Sequence, residues 1–382
     1  MSKTSTVSSP KGRCAADADG AGTLNERLDR LHDRLLESVP TVDRIACALY
    51  DTAEDRLKTF INSTRAGDAI AGYEFKLADS VSLSRLAKSG EFRVIDDIPA
   101  VIGADSAHSA WLLSQGYRSS FTAPMYDNGS FNGLIFFNST APAVFSTAVQ
   151  RDLSLYANLI NMTISSELAA VRAISAAAQI ARDFADLRDF ETGAHLERVA
   201  RYARIIAKAV APIHHLSDEF VEHVYLFAPL HDIGKIGIAD KILLKPGKLD
   251  PDERRIMESH VFKGRDIIAR ILGDFGLSHL PDSRVMANIV ECHHQFLDGT
   301  GYPCRPQGVE VPIEARIVMV ADIFDALTTR RPYKQPWTIE RACAELDLMV
   351  NAGKLDADCV AAITLHAAEM GAIGELYHDL AA

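Results

Sequence analysis

Hydrophobic positions follow two different periods along this chain, and the change of period marks a change of structure. Leucines recur at helical spacing before Pro40: Leu24, Leu28, Leu31 and Leu35. Apolar and polar positions then alternate in short segments, as they do in β-strands. The pattern predicts strands at 44–50, 57–61, 92–95, 119–126 and 133–138, helices at 82–89 and 107–115, and a turn at 127–129. This order predicts a small α+β domain over residues 24–147.

A long stretch without Gly or Pro follows, from Ala143 to Thr192. Because an ordinary globular helix is shorter, it predicts a connector helix over residues 148–190. Apolar residues repeat along it at steps of three and four: Leu153, Ala157, Ile160, Ile164, Leu168, Val171, Ile174, Ala178 and Ala181. Such a seam favours contact with a second helix, and therefore a homodimer, over a helix packed on its own domain.

Composition limits the class of protein. The 382 residues are 48% hydrophobic and 24% charged, which is typical of a soluble globular protein with two domains. Residues 1–23 are rich in Ser, Ala, Gly and Thr and have no apolar core, so we expect a disordered leader in a cytoplasmic protein and no membrane anchor. The six cysteines form no CxxC pattern, which favours reduced thiols.

The net charge of −11 argues against a nucleic-acid polymer or an anionic membrane as partner, because both require a basic face. A small phosphate ligand remains compatible with this charge, since a local group of Lys and Arg can hold two phosphates.

Histidine and aspartate gather in the second half of the chain. His231 and Asp232 are adjacent, and an aspartate can bridge two cations with its two oxygens. His32-Asp33 has the same sequence, but it lies in a polar helix, so His32 is interpreted as a surface residue. His223 is interpreted as a surface or capping residue. The pair at 231–232 differs because further candidates follow at helix-sized intervals: His260, His293, His294 and Asp322. Ligands from several helices commonly meet in a bundle core.

Glu191 and His195 lie four residues apart and so share one face of a helix, which adds both to the candidate metal ligands. Lys235 lies one helical turn beyond His231, where its ammonium can stabilise charge that develops on a phosphate. Arg331 and Lys334 are candidates for holding a second phosphate.

These motifs resemble the HD-GYP subfamily of HD-domain phosphohydrolases. The signature joins a His-Asp-x-Gly-Lys run to a His-His-x-x-x-Asp-Gly-x-Gly-Tyr-Pro run, and both are complete at 231–235 and 293–303. Glu191 to His195 matches the family's Glu-Thr-Gly-x-His run, and Arg331 to Lys334 matches its substrate-binding Arg-Pro-Tyr-Lys run. The first domain resembles a GAF sensor domain in its order of elements and in the phrase at 116–120.

The resemblance implies a multidomain protein: an α+β GAF-like domain, a connector helix and an all-α HD-GYP bundle over residues 191–376. It implies two or three divalent metal ions, iron or manganese, with Asp232 bridging two of them. The implied ligands are Glu191, His195, His231, Asp232, His260, His293, His294 and Asp322. The implied catalytic residues are Asp232 and Lys235, and the implied substrate contacts are Lys235, Arg331, Lys334 and Tyr302.

The implied activity is hydrolysis of cyclic di-GMP to linear pGpG, and onward to GMP, under control of the sensor domain. Two alternatives stay open: hydrolysis of another cyclic dinucleotide such as cyclic GMP-AMP, and a receptor that binds without turnover. The loop that contains Tyr302 is also a candidate docking surface for a GGDEF-type or other signalling protein. Gln295 replaces the family's usual Glu, which predicts altered hydrogen bonding around His294.

Overall fold

The structure is a computed structural model that describes residues 22–103, 107–185, 193–274, 283–303, 310–330 and 335–378. The first domain begins with helix α1 (Leu24–Ser38). Its strands are β1 (Arg44–Asp51), β2 (Arg56–Thr64), β3 (Glu74–Lys76), β4 (Arg93–Ile95), β5 (Ser119–Asp127) and β6 (Ser130–Ser139). Its other helices are α2 (Val81–Ser89), α3 (Ile98–Val101) and α4 (Ala107–Ser114). The strands form one antiparallel sheet in the order β3-β2-β1-β6-β5-β4, which confirms the α+β fold.

The hairpin of β5 and β6 shows how local sequence shapes this sheet. Asp127 pairs with Ser130, so the loop contains only Asn128 and Gly129. Both have positive φ, at 48° and 81°, which a two-residue turn matching the strand twist requires. The predicted turn is therefore confirmed, whereas the short elements β3 and α3 had no distinct pattern in the sequence.

Helix α1 is anchored by a residue that the sequence analysis placed on the surface. The side chain of His32 is fully buried, with ring nitrogens 2.8 Å from Ser63 Oγ and 2.9 Å from the Val42 carbonyl oxygen. That interpretation of His32 is wrong, because the helix is amphipathic and its apolar stripe carries His32 onto the sheet.

Helix α5 (Thr147–Ala185) runs through both domains. Residues 153–168 of its predicted seam pack against α1 and the sheet, while Val171 and Ile174 join the core of the second domain. The seam is thus buried within its own chain, which corrects the expectation that it forms the contact with a second copy. Side chains at 178 and 181 lie outside the described residues.

The second domain is all-α, as expected. Its helices are α6 (Gly193–His214), α7 (Asp218–Phe227), α8 (Asp240–Leu243), α9 (Pro251–Glu258), α10 (His260–Asp274), α11 (Ser283–Cys292), α12 (Ile313–Thr328), α13 (Ile339–Asn351), α14 (Ala357–Leu365) and α15 (Ala367–Leu376). Helix α6 lies centrally, with eleven buried residues on several faces, and packs against α7, α12 and α14. Among the described residues, only the bent pair α14–α15 taken together reaches the length and hydropathy of a membrane span, and no single helix does.

The two domains share a polar interface. The Glu219 carboxylate on α7 accepts the backbone N–H groups of Leu24 (2.6 Å) and Asn25 (3.1 Å), so it caps α1 from the other domain. Glu74 on β3 lies 2.8 Å from Arg204 and 3.1 Å from Lys208 of α6. His223, expected at the surface, is fully buried here and stacks on Phe227, which corrects that interpretation.

Candidate metal centre

The turn that carries His231 and Asp232 is held against α10 by close backbone packing. Two 3-10 segments, Ala228–Leu230 and Ile233–Gly237, flank the pair. A Cβ atom on Gly234 would lie 1.8 Å from the His260 carbonyl oxygen, so only glycine allows this approach. As a result Asp232 Oδ1 lies 3.1 Å from His260 Nε2, although 28 positions separate the two in the sequence.

Three histidines are oriented by their own backbone. His231, His260 and His293 each place Nδ1 within 2.8–3.0 Å of a carbonyl oxygen three or four residues earlier, from Ala228, Met257 and Ile289. If Nδ1 donates in each case, the Nε2 lone pair faces inward. The Nε2 atoms lie 3.1, 3.1 and 3.7 Å from the Asp232 carboxylate.

Two groups of ligand atoms adjoin in this core. The Asp232 cluster consists of Asp232, His260, His293 and His294, and the His195 cluster consists of His195, His231 and Asp322. Within each cluster the candidate ligand atoms all lie within 4.8 Å of one another. The clusters adjoin through His231, whose ring centroid is 5.9 Å from that of His195 and 5.0 Å from that of His293.

Asp325 contacts the His195 cluster through the ring of His195. It follows Asp322 by three residues on α12, and its Oδ2 lies 2.7 Å from His195 Nδ1. Arg198 donates to both oxygens of Asp325, at 2.6 and 3.0 Å. Arg198 was not predicted from the sequence, although its position three residues after His195 places both side chains on one face of α6.

Burial and neighbouring charges set the protonation of these groups. Burial would raise the pKa of Asp232, but Lys235, whose Nζ is 2.9 Å away, and His231 together hold that pKa well below its ordinary value. Burial lowers the pKa of His293 and lowers that of His294 well below its ordinary value. The centre therefore presents a carboxylate beside the neutral imidazoles of His293 and His294.

This arrangement fits divalent metal ions. With Nδ1 protonated, His260 Nε2 and Asp232 Oδ1 are both hydrogen-bond acceptors, yet they face each other at 3.1 Å in a buried site. Two acceptors at that distance repel unless a cation binds between them. Imidazole nitrogen with carboxylate oxygen is a donor set suited to first-row divalent ions.

The 299–303 loop closes over the histidines. The Tyr302 ring centroid lies 4.7 Å from that of His294, and its N–H donates to the His294 carbonyl oxygen. A Cβ atom on Gly301 would lie 2.1 Å from the same oxygen. Gln295 donates from Nε2 to the Pro303 carbonyl oxygen at 2.6 Å, so its amide holds this loop. The altered hydrogen bonding around His294 stays a prediction.

Most of the predicted site residues meet at this centre, in an arrangement that sequence spacing alone does not specify. The structure brings together His195, His231, Asp232, Lys235, His260, His293, His294, Tyr302 and Asp322. Glu191, Arg331 and Lys334 lie outside the described residues.

Comparisons with known proteins find a family and several relatives similar to part of this chain. Residues 179–359 match the HD domain family. A cyclic di-GMP phosphodiesterase of Thermotoga maritima is 42% identical over 177 residues, covering 46% of this chain and 45% of the relative. The cyclic di-GMP phosphodiesterase response regulator RpfG of Xanthomonas campestris pv. campestris is 42% identical over 179 residues, covering 47% and 44%.

A 3'3'-cGAMP-specific phosphodiesterase 2 of Vibrio cholerae is also 42% identical, over 161 residues that cover 42% of this chain and 29% of the relative. The chain thus spans less than half the length of these relatives. Among solved structures, the GAF domain of an Acinetobacter phosphoenolpyruvate-protein phosphotransferase is similar at 14% identity and a TM-score of 0.31, covering 41% of this chain and 89% of that one.

Proposed function

We propose that this chain, whose residues 179–359 match the HD domain family, is a metal-dependent phosphodiesterase that opens cyclic di-GMP to linear pGpG and then to GMP. The observation that carries the proposal is the pair of adjoining clusters, in which buried imidazoles converge on Asp232 and Asp322. Two relatives named cyclic di-GMP phosphodiesterases, each 42% identical over nearly half of this chain, support this substrate.

In this proposal the Asp232 cluster would hold one ion and the His195 cluster a second, with Asp232 contributing to both, and Glu191 would help to hold a third. Iron or manganese suits this mixture of imidazole and carboxylate ligands. Bound ions of this kind lower the pKa of a coordinated water by several units and so supply a nucleophile near neutral pH.

The residues around the clusters have separate roles in the proposal. Lys235 places its ammonium beside Asp232, where it stabilises charge on the non-bridging phosphate oxygens. Tyr302 covers His294 and excludes water from one side of the site. Arg331 and Lys334 hold the second phosphate of the cyclic dinucleotide.

Cyclic GMP-AMP is the second candidate substrate, because a cGAMP-specific relative is as similar in identity as the first two. A receptor without turnover is less favoured, because every candidate ligand within the described residues is in place.

Hydrolysis of both dinucleotides by protein purified without oxygen tests the proposal, with metal counted on the same sample. We expect turnover of cyclic di-GMP, and loss of metal and of turnover in His260→Gln. His366→Gln is the control, since His366 is a half-buried residue paired with Glu369 away from the centre. Metal-loaded protein that cleaves neither dinucleotide would refute the enzyme and favour the receptor.

We also propose a homodimer through α5, but through a different stripe from the buried seam. Positions 155, 159, 162, 166, 169, 173 and 176 are all exposed and alternate in steps of four and three. Leu155, Leu159 and Met162 are 66%, 46% and 67% exposed. A 3.5-residue period suits a second helix that supercoils with the first, and a second copy presents the same stripe.

The dimer is tested by Leu159→Glu, which places a charge in the proposed contact. We expect a dimer for the wild type and a monomer for the variant in sedimentation equilibrium. Leu348→Glu is the matched control, because Leu348 is 63% exposed on α13. A monomeric wild type, or a dimer that survives Leu159→Glu, would contradict this contact.

A further inference from the structure

A cavity of about 420 Å³ lies between the two domains, and we call it the interdomain cavity. The first domain contributes Thr59 of β2, Glu74 of β3 and part of the loop that joins these strands. The second domain contributes α6, α7 and the segment between them. Neither metal cluster shares a lining residue with this cavity. A molecule bound there would therefore contact both domains at a distance from the metal centre.

The wall of the interdomain cavity combines apolar and charged side chains. Ala211, Leu216 and Val221 are apolar, and Val221 is only 5% exposed. The charged members are Glu74, Arg204, Lys208, Asp218 and Glu222. Sites for small organic molecules commonly have this composition and a volume of about 300–1,000 Å³. The cavity therefore has the size and the chemistry of a small-molecule site.

The two cations of the wall are already engaged by carboxylates. Arg204 lies 2.8 Å from Glu74, and its Nε donates to Glu222 at 2.7 Å. Burial would lower the pKa of Arg204, but Glu222 and Glu74 outweigh burial and raise it. Lys208 lies 3.1 Å from the same Glu74 carboxylate. An anionic ligand would have to compete with Glu74 and Glu222 for these two cations.

Asp218 is the carboxylate of the wall that has no such partner. It is half-buried and accepts the Gly72 N–H at 2.9 and 3.1 Å, but it forms no ion pair with a cation of the described residues. Burial raises the pKa of Asp218, and the hydrogen bonds from Thr59 and Gly72 do not offset this effect. Three carboxylates thus face two cations, and the remaining titratable side chain of the lining, His215, is exposed.

We infer that the interdomain cavity binds a small organic cation, whose ammonium or guanidinium group donates to Asp218. The apolar part of such a ligand packs on Ala211, Leu216 and Val221. A cation balances the charge of the wall and leaves the pairs of Arg204 and Lys208 intact. A bare metal ion would occupy little of the volume and would leave the apolar wall uncovered. The inference is independent of the proposed phosphodiesterase activity, since the cavity is separate from the metal centre.

Calorimetric titration of the full chain with benzylammonium tests the inference, at constant ionic strength in a buffer without amines. Benzyl alcohol is the neutral counterpart with almost the same shape, and benzoate carries the opposite charge. We expect benzylammonium to bind about tenfold more tightly than benzyl alcohol, because a hydrogen bond between charged groups in a partly enclosed cavity contributes about that much. Benzoate should bind most weakly, because three carboxylates face the cavity.

Two variants separate charge from shape. Asp218→Asn should weaken benzylammonium by about tenfold and leave benzyl alcohol unchanged. Asp252→Asn is the matched control, because Asp252 also lies in the first turn of a helix but is exposed and outside the cavity. Ala211→Leu adds volume to the apolar wall and should weaken both ligands. This second variant keeps the test decisive if Asp218→Asn fails to fold.

Three results would overturn the inference. The first is no binding of benzylammonium at millimolar concentration, and the second is affinity for benzyl alcohol or benzoate equal to that for benzylammonium. The third is benzylammonium affinity that stays unchanged in Asp218→Asn or in Ala211→Leu. Since none of these measurements uses a dinucleotide or counts metal, failure here is distinguishable from failure of the proposed hydrolysis.

Discussion

Replacing Asp325 by Asn removes one negative charge next to His195 and keeps the size of the side chain. The Asp325 carboxylate is 2% exposed and accepts hydrogen bonds from Arg198, whose side chain is 3% exposed. It also lies 2.7 Å from His195 Nδ1. An amide has an oxygen that accepts and an NH₂ group that donates. In either rotamer of the new amide the NH₂ group would therefore face Arg198 or His195, which donate to the carboxylate in the wild type. The substitution therefore affects both folding and the orientation of His195.

The loss in free energy of unfolding can be estimated from the partners that Arg198 keeps in the variant. Breaking a buried ion pair by removing one partner costs about 3–5 kcal/mol. Arg198 also donates to the Tyr377 carbonyl oxygen at 2.7 Å, so the lower end, about 3 kcal/mol, is expected. If the second domain unfolds as a unit of roughly 150–250 residues, that lowers its Tm by roughly 6–12 °C. Loss of the acceptor for His195 Nδ1 should also weaken metal binding by about 10–100-fold.

Thermal unfolding and metal titration of the same preparations measure both effects. Asp33→Asn is the control, because Asp33 pairs with Arg65 at 2.6 Å in an exposed pair that contributes at most about 1 kcal/mol. A Tm change for Asp325→Asn no larger than that of the control would refute the structural argument. Unchanged metal affinity would refute the role of Asp325 in orienting His195.

The contacts of Asp325 with His195 and Arg198 also predict how the free energy of unfolding depends on pH. His195 and Arg198 outweigh burial and lower the pKa of Asp325 below its ordinary value. Its stabilisation is therefore fully present above the unfolded pKa of about 3.9 and is lost as pH falls through the lower folded value. The difference in unfolding free energy between wild type and Asp325→Asn should be constant near neutral pH and shrink below about pH 4. A difference that persists in acid would contradict this linkage.

Further predictions concern the loop and the lysine of the centre. Gly301→Ala should lower turnover strongly, because the new methyl group would lie 2.1 Å from the His294 carbonyl oxygen and must displace the loop. The control is Gly273→Ala, which has open space around it and should leave turnover intact. A fully active Gly301→Ala would show that the loop is not held as described. Lys235→Ala should reduce kcat by about 10²-fold or more with little loss of metal, since its ammonium lies beside the centre, 2.9 Å from Asp232 Oδ2, and is proposed to stabilise the phosphate rather than to hold a metal ion. Metal loss equal to the loss of kcat would assign Lys235 to holding Asp232 instead.

Local sequence determined much of the fold. Periods of two and 3.6 residues placed the strands and helices of the first domain, because each element must turn its apolar positions to a core. The two-residue turn at Asn128 and Gly129 followed from residues that accept positive φ. The candidate ligands were also readable from sequence, since imidazole and carboxylate side chains at helix-sized intervals have a recognisable metal chemistry.

Only the tertiary structure decided what those patterns contact. The apolar seam of α5 is the same whether a helix packs on its own chain or on another, and the fold assigned it to the chain's own cores. The helical period placed His32 and the pair Arg198–Asp325 on particular faces, but burial depends on which elements cover those faces.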